Sequence, residues 1–249
     1  RYGRAGVVQQ MLARGNDVNV KDRDGRTPLH LAAIGDQPEC AALLLARAAS
    51  LTATDANGAT PLHLAVLENR PRMVQFLIDR AARINAEDNG KRTPMHYAAF
   101  ADNAAIIDLL AKGGARLNLP DKDGVTPLLM ATKEKRVNAV KALLANKAYP
   151  NDIDKANLTA LHWAAMQDTD EISDLLLTAK ANTNAHDVNG NTPLHVAAWY
   201  NNAALCEKMI AAGARINEKN AKGQTPLKLA VTNDAKLAIE LLKARGGFE

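Results

Sequence analysis

Residues 187–198 read DVNGNTPLHVAA. Asp187, Asn189 and Gly190 are turn-forming residue types, with glycine free to take positive φ. Thr192 can cap a helix through its hydroxyl, and Pro193 suits the first helical position, where no backbone N–H is needed. The residues that follow are small and apolar. Turn, cap and short helix are therefore written into one brief phrase. The helix then runs into Trp199 and Tyr200, two bulky aromatics directly after an alanine pair.

The phrase is not unique. Moving outward from it, the same string starts at Thr27, Thr60, Thr93, Thr126, Thr159, Thr192 and Thr225, always 33 residues apart. The copies read TPLHLAA, TPLHLAV, TPMHYAA, TPLLMAT, TALHWAA, TPLHVAA and TPLKLAV. Turn signals precede most of them: DRDG, DANG, DKDG, DVNG and, in the last, NAKG. Leucine-rich stretches follow each copy, among them CAALLLA, MVQFLI, IIDLL, AVKALL, EISDLLL and AIELL. Each unit reads as turn, alanine-rich helix, leucine-rich helix. A single unit leaves an apolar face uncovered, so successive units must stack.

This unit, with its TPLH phrase at constant spacing, resembles the ankyrin repeat, and the resemblance covers essentially the whole chain. It implies an all-α solenoid of stacked helix-turn-helix units with projecting β-hairpin loops. It also implies a concave surface of loop tips and first helices, which members of the family generally use to bind proteins. The layout expected is one domain over 1–249: a partial opening repeat over 1–21, six repeats over 22–219, and a capping repeat over 220–249. Arg1 falls midway through a unit, leaving only the second-helix stretch GVVQQMLARG at the start. Lys243 stands where Leu45 and Ile210 occur in earlier copies, a polar change that suits a closing cap.

The totals restrict the function classes. The chain has 249 residues, 47% of them apolar but only 4% aromatic, so its core is aliphatic. The formal charge of +4, from 31 basic and 27 acidic residues, is far from the concentrated positive charge of a nucleic-acid binder. No apolar run approaches the ~18 residues that span a membrane, and no signal peptide is visible. The expectation is a protein partner, with no nucleic acid and no membrane, and a monomer in isolation. The compartment is unknown. Cytoplasmic is the default, and an exported setting stays open because the chain does not begin with Met.

Catalytic and metal chemistry is not expected, and no cofactor is implied. Five of the six histidines, His30, His63, His96, His162 and His195, hold one repeat position and read as structural. Asp22, Asp55, Asp88, Asp121, Asp154 and Asp187 likewise share a position and read as turn formers. Neither Ser50 nor Ser173 lies in a nucleophile elbow, and no phosphate loop or HExxH motif is present. Cys40 and Cys206 fall on second helices five repeats apart, too far to bridge at ~10 Å per stacked layer.

Function should then reside where the copies differ. The column four residues past the histidine position reads Ile34, Leu67, Phe100, Lys133, Met166, Trp199 and Thr232. The next column includes Tyr200, and the column directly after the histidine includes Tyr97 and Trp163. In ankyrin repeats the first two columns lie on the first helix and face the concave side, while the third packs partly against neighbouring helices. Aromatic and apolar residues gathered on one face point to a binding site, because Trp and Tyr dominate interface hot spots. Arg92, Lys122 and Lys155 add positive charge at the loop tips. The candidate partner-binding set is Tyr97, Phe100, Lys133, Trp163, Met166, Trp199, Tyr200, Arg92, Lys122 and Lys155. The reading is a non-catalytic interaction module acting as an adaptor or as an inhibitor of a partner enzyme. The alternative is an architectural or regulatory segment of a longer enzyme or channel.

Two copies depart from the pattern. The fourth has Leu129 in place of histidine and Thr132 in place of an alanine, and the fifth has Asn157 in place of glycine and Ala160 in place of proline. Lys147 and Lys180 also replace a helix-ending glycine. This pair of repeats is expected to be locally weaker than its neighbours.

Overall fold

The computed structural model describes residues 2–167 and 169–249. Its described residues form α-helices joined by turns, with no strand among them, and together they make an all-helical repeat solenoid. The contacts divide the chain into two compact units, residues 1–122 and 123–249.

Each first helix forms where the sequence places it, and for the same reason every time. The threonine before it is extended, with φ −87° and ψ 165° at Thr192, so its hydroxyl faces the open end of the helix. The helix that follows is short, as in Pro61–Leu67 and Pro193–Trp199. Its alanines are fully buried, Ala65, Ala98, Ala131, Ala164 and Ala197 among them. Small side chains here let neighbouring backbones come close. The second helices bury the bulk: Met73, Val74 and Leu77 from Pro71–Asp79, and Leu205, Cys206 and Met209 from Ala203–Ala211.

Inside the first unit, the first helices Pro28–Ile34, Pro61–Leu67 and Pro94–Phe100 pack in series. The helices Tyr2–Ala13, Pro38–Leu45, Pro71–Asp79 and Ala104–Lys112 form the parallel series behind them. In the second unit, Pro127–Lys133, Ala160–Gln167, Pro193–Trp199 and Pro226–Thr232 are the first helices. Val137–Ala145, Asp170–Thr178, Ala203–Ala211 and Lys236–Ala244 are the second. Both units thus bury one layer of small residues against one layer of large ones. Within each unit, each repeat contacts its neighbours, which is the quasi-one-dimensional packing of a repeat array.

The two irregular repeats keep their helices. Ala160 replaces proline, yet Thr159 and His162 preserve the cap: the Thr159 N–H donates to His162 Nδ1 at 3.1 Å and the His162 N–H donates to Thr159 Oγ1 at 3.4 Å. In the fourth repeat Leu129 offers no ring nitrogen, and the cap reduces to the Leu129 N–H on Thr126 Oγ1 at 3.4 Å. Asn157 takes the left-handed conformation, at φ 57°, that Lys91 takes in the third repeat and glycine in the others. The helix-ending slot is left-handed in every repeat, at φ 69° for Lys147 and 60° for Lys180. Ala48 and Ala81 hold the same slot in the first unit at φ 62° and 60°. The backbone strain at this slot is therefore not special to the fourth and fifth repeats.

Candidate functional site

The frame of the face is set by the loops. In each well-formed turn one carboxylate oxygen collects two backbone N–H groups. Asp55 Oδ1 accepts from Asn57 at 2.8 Å and Ala59 at 2.9 Å, and Asp187 Oδ1 accepts from Asn189 and Asn191, both at 2.8 Å. Asn220 does the same with Lys222 at 3.0 Å and Gln224 at 2.9 Å. Successive tips are then tied by single backbone bonds. Ala56 N–H donates to the Asp24 carbonyl at 2.9 Å, Val188 to Ala156 at 3.1 Å, and Ala221 to Asn189 at 3.0 Å. One bond per step is too sparse for a regular strand ladder. In the sixth repeat Gly190 makes room for this approach. Its φ is +76°, and a Cβ there would lie 2.7 Å from the Ala221 nitrogen.

The repeated histidines lock helix, turn and next repeat together. His195 Nδ1 accepts the Thr192 N–H at 3.1 Å, while its Nε2 faces the Gln224 carbonyl at 3.0 Å. A carbonyl only accepts, so Nε2 carries the proton and Nδ1 is the acceptor. His30, His63 and His162 repeat the arrangement on the carbonyls of Ala59, Arg92 and Asn191. All four rings are fully buried. Burial outweighs the backbone carbonyl and nearby aspartates and lowers their pKa values, to about 4 for His63. Neutral imidazoles held this way are fasteners. Cys206 is also buried, its thiol pushed up to about 12 by desolvation, and the Cys40 thiol is buried as well. Among the described residues no group of three or more His, Cys, Asp or Glu is placed to hold a metal.

In the first unit the structure brings Tyr97 and Arg92 together on Asp88. The Tyr97 hydroxyl donates to Asp88 Oδ2 at 2.8 Å, and Arg92 Nε and Nη2 reach the same oxygen at 3.0 and 2.9 Å. The guanidinium also stands 5.4 Å from the centre of the Tyr97 ring. Burial pushes the Asp88 carboxyl up, but the Arg92 N–H, Tyr97 and the guanidinium outweigh it and hold its pKa below the ordinary value. Tyr97 is half-buried and its polar tip is committed within its own repeat. Phe100, by contrast, is 45% exposed at the end of its helix. Lys122 presents an exposed side chain at a tip whose backbone N–H is tied to the Gly90 carbonyl at 2.9 Å.

In the second unit Trp163 copies this arrangement. Its indole N–H donates to Asp154 Oδ2 at 3.1 Å, and Lys133 Nζ stands 4.8 Å from the centre of its ring system. Lys155 is exposed at the tip, its backbone N–H on the Asp123 carbonyl at 3.1 Å. Met166, Trp199 and Tyr200 come together on one cleft of about 480 Å³. Trp199 is 37% exposed and Tyr200 is 55% exposed. Trp199 is thus more seated than a free surface residue, although its outer edge meets solvent.

The polar lining of the cleft was not legible as a site. Asp187, Asn189, Asn191, Asn220, Lys222 and Gln224 form it. Most of these are turn positions in the sequence, and only the run of amides where other repeats vary was available as a signal. The Asn191 amide donates to Asp187 Oδ2 at 3.2 Å, and the Asn220 amide donates to Asn191 Oδ1 at 2.9 Å. The result is a cleft lined by apolar residues of three helices and by polar residues of two turns.

A family model described as ankyrin repeats, in three copies, matches residues 1–88, 84–154 and 148–220. The chain belongs to the ankyrin repeat family. Ankyrin repeats are generally protein–protein interaction modules, and domains built from them are typically non-catalytic. The ankyrin fold here is similar to the crystal structure of the human ASB11 ankyrin repeat domain. That likeness has a TM-score of 0.74 at 25% identity, and covers 90% of this chain and 100% of that one. It is also similar to the ankyrin repeat domain of Bcl-3, described as a unique member of the IkappaB protein family. There the TM-score is 0.81 at 27% identity, with 89% of this chain and 100% of that one covered. A search of curated proteins returned no match. Among the described residues no helix is long and apolar enough to cross a membrane.

Proposed function

We propose that this ankyrin chain is a non-catalytic module that grips one protein partner through the face made by its first helices and turn tips. The partial opening repeat, six full repeats and closing cap act as one recognition domain and work as a monomer. The observation that carries this reading is the cleft in the second unit, where Met166, Trp199 and Tyr200 meet a polar lining. Two aromatics of this size left partly in water cost about 25 cal/mol for each Å² of apolar area. Covering them with a partner recovers that free energy, which is why exposed Trp and Tyr mark interface anchors.

Phe100 and the Tyr97–Arg92 pair are the contact residues assigned to the first unit, with Lys122 at its tips. Lys133, Trp163 and Lys155 extend the surface of the second. The module works as an adaptor, or as an inhibitor that covers the active site of a partner enzyme. Ala substitution at Trp199 and Tyr200, compared with Gln75→Ala on a second helix, tests the assignment. Binding lost per folded molecule at the first two positions and kept at Gln75 is the outcome expected.

A further inference from the structure

We infer that the cleft beside Trp199 and Tyr200 recognises an arginine side chain of the protein partner. This inference rests on the proposed binding face and names what one part of it selects.

The chain supplies its own template. In the third repeat, the turn carboxylate of Asp88 spends Oδ1 on the backbone N–H groups of Gly90 and Arg92, at 2.7 and 2.8 Å. Its other oxygen, Oδ2, takes the Arg92 guanidinium, which also stands over the Tyr97 ring. In the fifth repeat, Lys133 stands over Trp163, whose indole N–H is on Asp154 Oδ2. Carboxylate, aromatic ring and cation occur together in both.

The sixth repeat has the carboxylate, with Val196 where the template has its ring; two rings one helical turn further along, Trp199 and Tyr200, share the carboxylate's cleft, and the cation is lacking. Asp187 Oδ1 is spent on the backbone of Asn189 and Asn191, as in the template. Among the described residues its Oδ2 accepts only the Asn191 amide, at 3.2 Å. The position that is Arg92 in the third repeat is Asn191 here, too short and uncharged to complete the set. Among the described residues no lysine or arginine pairs with Asp187 or stands over Trp199 or Tyr200. Asp187, Trp199 and Tyr200 all line the one cleft. A cation from outside, placed on Asp187 Oδ2, shares this cleft with the Trp199 and Tyr200 rings.

Arginine fits better than lysine. A guanidinium is flat, stacks on aromatic faces, and spreads its donors over several acceptors at once. Here those acceptors are Asp187 Oδ2 and the side-chain oxygens of the amides in the polar lining. Lys222 lines the same cleft and is exposed. Its charge discourages a segment of strongly positive net charge. It therefore favours an arginine flanked by neutral or acidic residues.

The test selects random linear peptides, displayed on phage, on the full chain. Bound peptides are then compared on the wild type, on Asp187→Asn and on Trp199→Leu. Asparagine keeps the turn, because Asn220 makes the same two backbone contacts in the seventh repeat. The expected result is that peptides dependent on Trp199 are rich in arginine. Replacing that arginine by neutral citrulline weakens binding about tenfold or more. Asp187→Asn weakens it by a similar factor, and in that variant the citrulline change no longer matters. Trp199-dependent peptides that carry no arginine, or that bind Asp187→Asn unchanged, overturn the arginine assignment and leave the binding face standing. Recovering only peptides indifferent to Trp199, or none at all, overturns both.

Discussion

Replacing His63 with alanine removes a ring that serves two repeats at once. Its Nδ1 accepts the Thr60 N–H at 3.1 Å, and its Nε2 donates to the Arg92 carbonyl at 3.1 Å. The ring is fully buried and meets Tyr97 edge-on at 5.0 Å. Alanine strands the Thr60 N–H and the Arg92 carbonyl away from water, at about 1–3 kcal/mol each, and leaves a cavity besides. The expected loss is about 3–5 kcal/mol at pH 7, read from urea unfolding. The Thr60 amide should also lose hydrogen-exchange protection. A pH arm makes the prediction sharper. His63 titrates near 4 in the folded chain against 6.5 unfolded, so the unfolded chain binds more protons between these values. Its stabilisation is complete above about pH 6.5 and is lost as pH falls through about 4. Between pH 7 and pH 5 the wild type should lose about 2 kcal/mol through this one ring, and the alanine variant should lack that component. A destabilisation under about 1 kcal/mol, or an unchanged pH difference, would refute the fastener role.

Other outcomes follow from the same geometry. Lys147→Gly should raise stability by about 0.5–1 kcal/mol, since glycine occupies the left-handed slot without strain and offsets its extra unfolded entropy; a thermal melt reads it, and a loss would mean that the Lys147 side chain contributes contacts of its own. Gly190→Ala should destabilise the sixth and seventh repeats by more than about 1 kcal/mol, because its Cβ meets the Ala221 backbone; hydrogen exchange at Ala221 should rise, and unchanged exchange there would contradict the close approach. Leu129→His should stabilise the fourth repeat by about 1 kcal/mol through a restored cap and one bridge to the fifth; a lowered melting temperature would show that the buried Leu129 contact is worth more.

Much of the fold was written in the sequence because one local solution is repeated. Seven threonines at fixed spacing name seven helix starts, and the alanine and leucine layers follow from them. The left-handed slot was legible only where glycine fills it. Ala48, Ala81, Lys147 and Lys180 adopt it under the pressure of stacking, which no local propensity reveals. The candidate cleft was half legible. Column position picked out Met166, Trp199 and Tyr200, because helix geometry fixes where those side chains point. The polar lining comes from turns, where the direction of a side chain depends on hydrogen bonds rather than on period. Thus Asp187 reads as a turn former, although only one of its oxygens is used for that. Tyr97 and Trp163 share a column with plain aliphatics, and nothing local shows that their polar tips reach back nine residues to Asp88 and Asp154.

The most direct test of the central claim is the affinity of Trp199→Ala for a partner recovered from the native source, measured by calorimetry. Trp199 is 37% exposed, so truncation also removes some packing, and the comparison must be made per folded molecule. An aromatic anchor contributes about 2 kcal/mol or more, so the account predicts a loss of roughly thirtyfold or greater, with Gln75→Ala at the wild-type value. A Trp199→Ala chain that is less stable but binds with undiminished affinity once folded would contradict it, and would place the tryptophan in the core rather than at the interface.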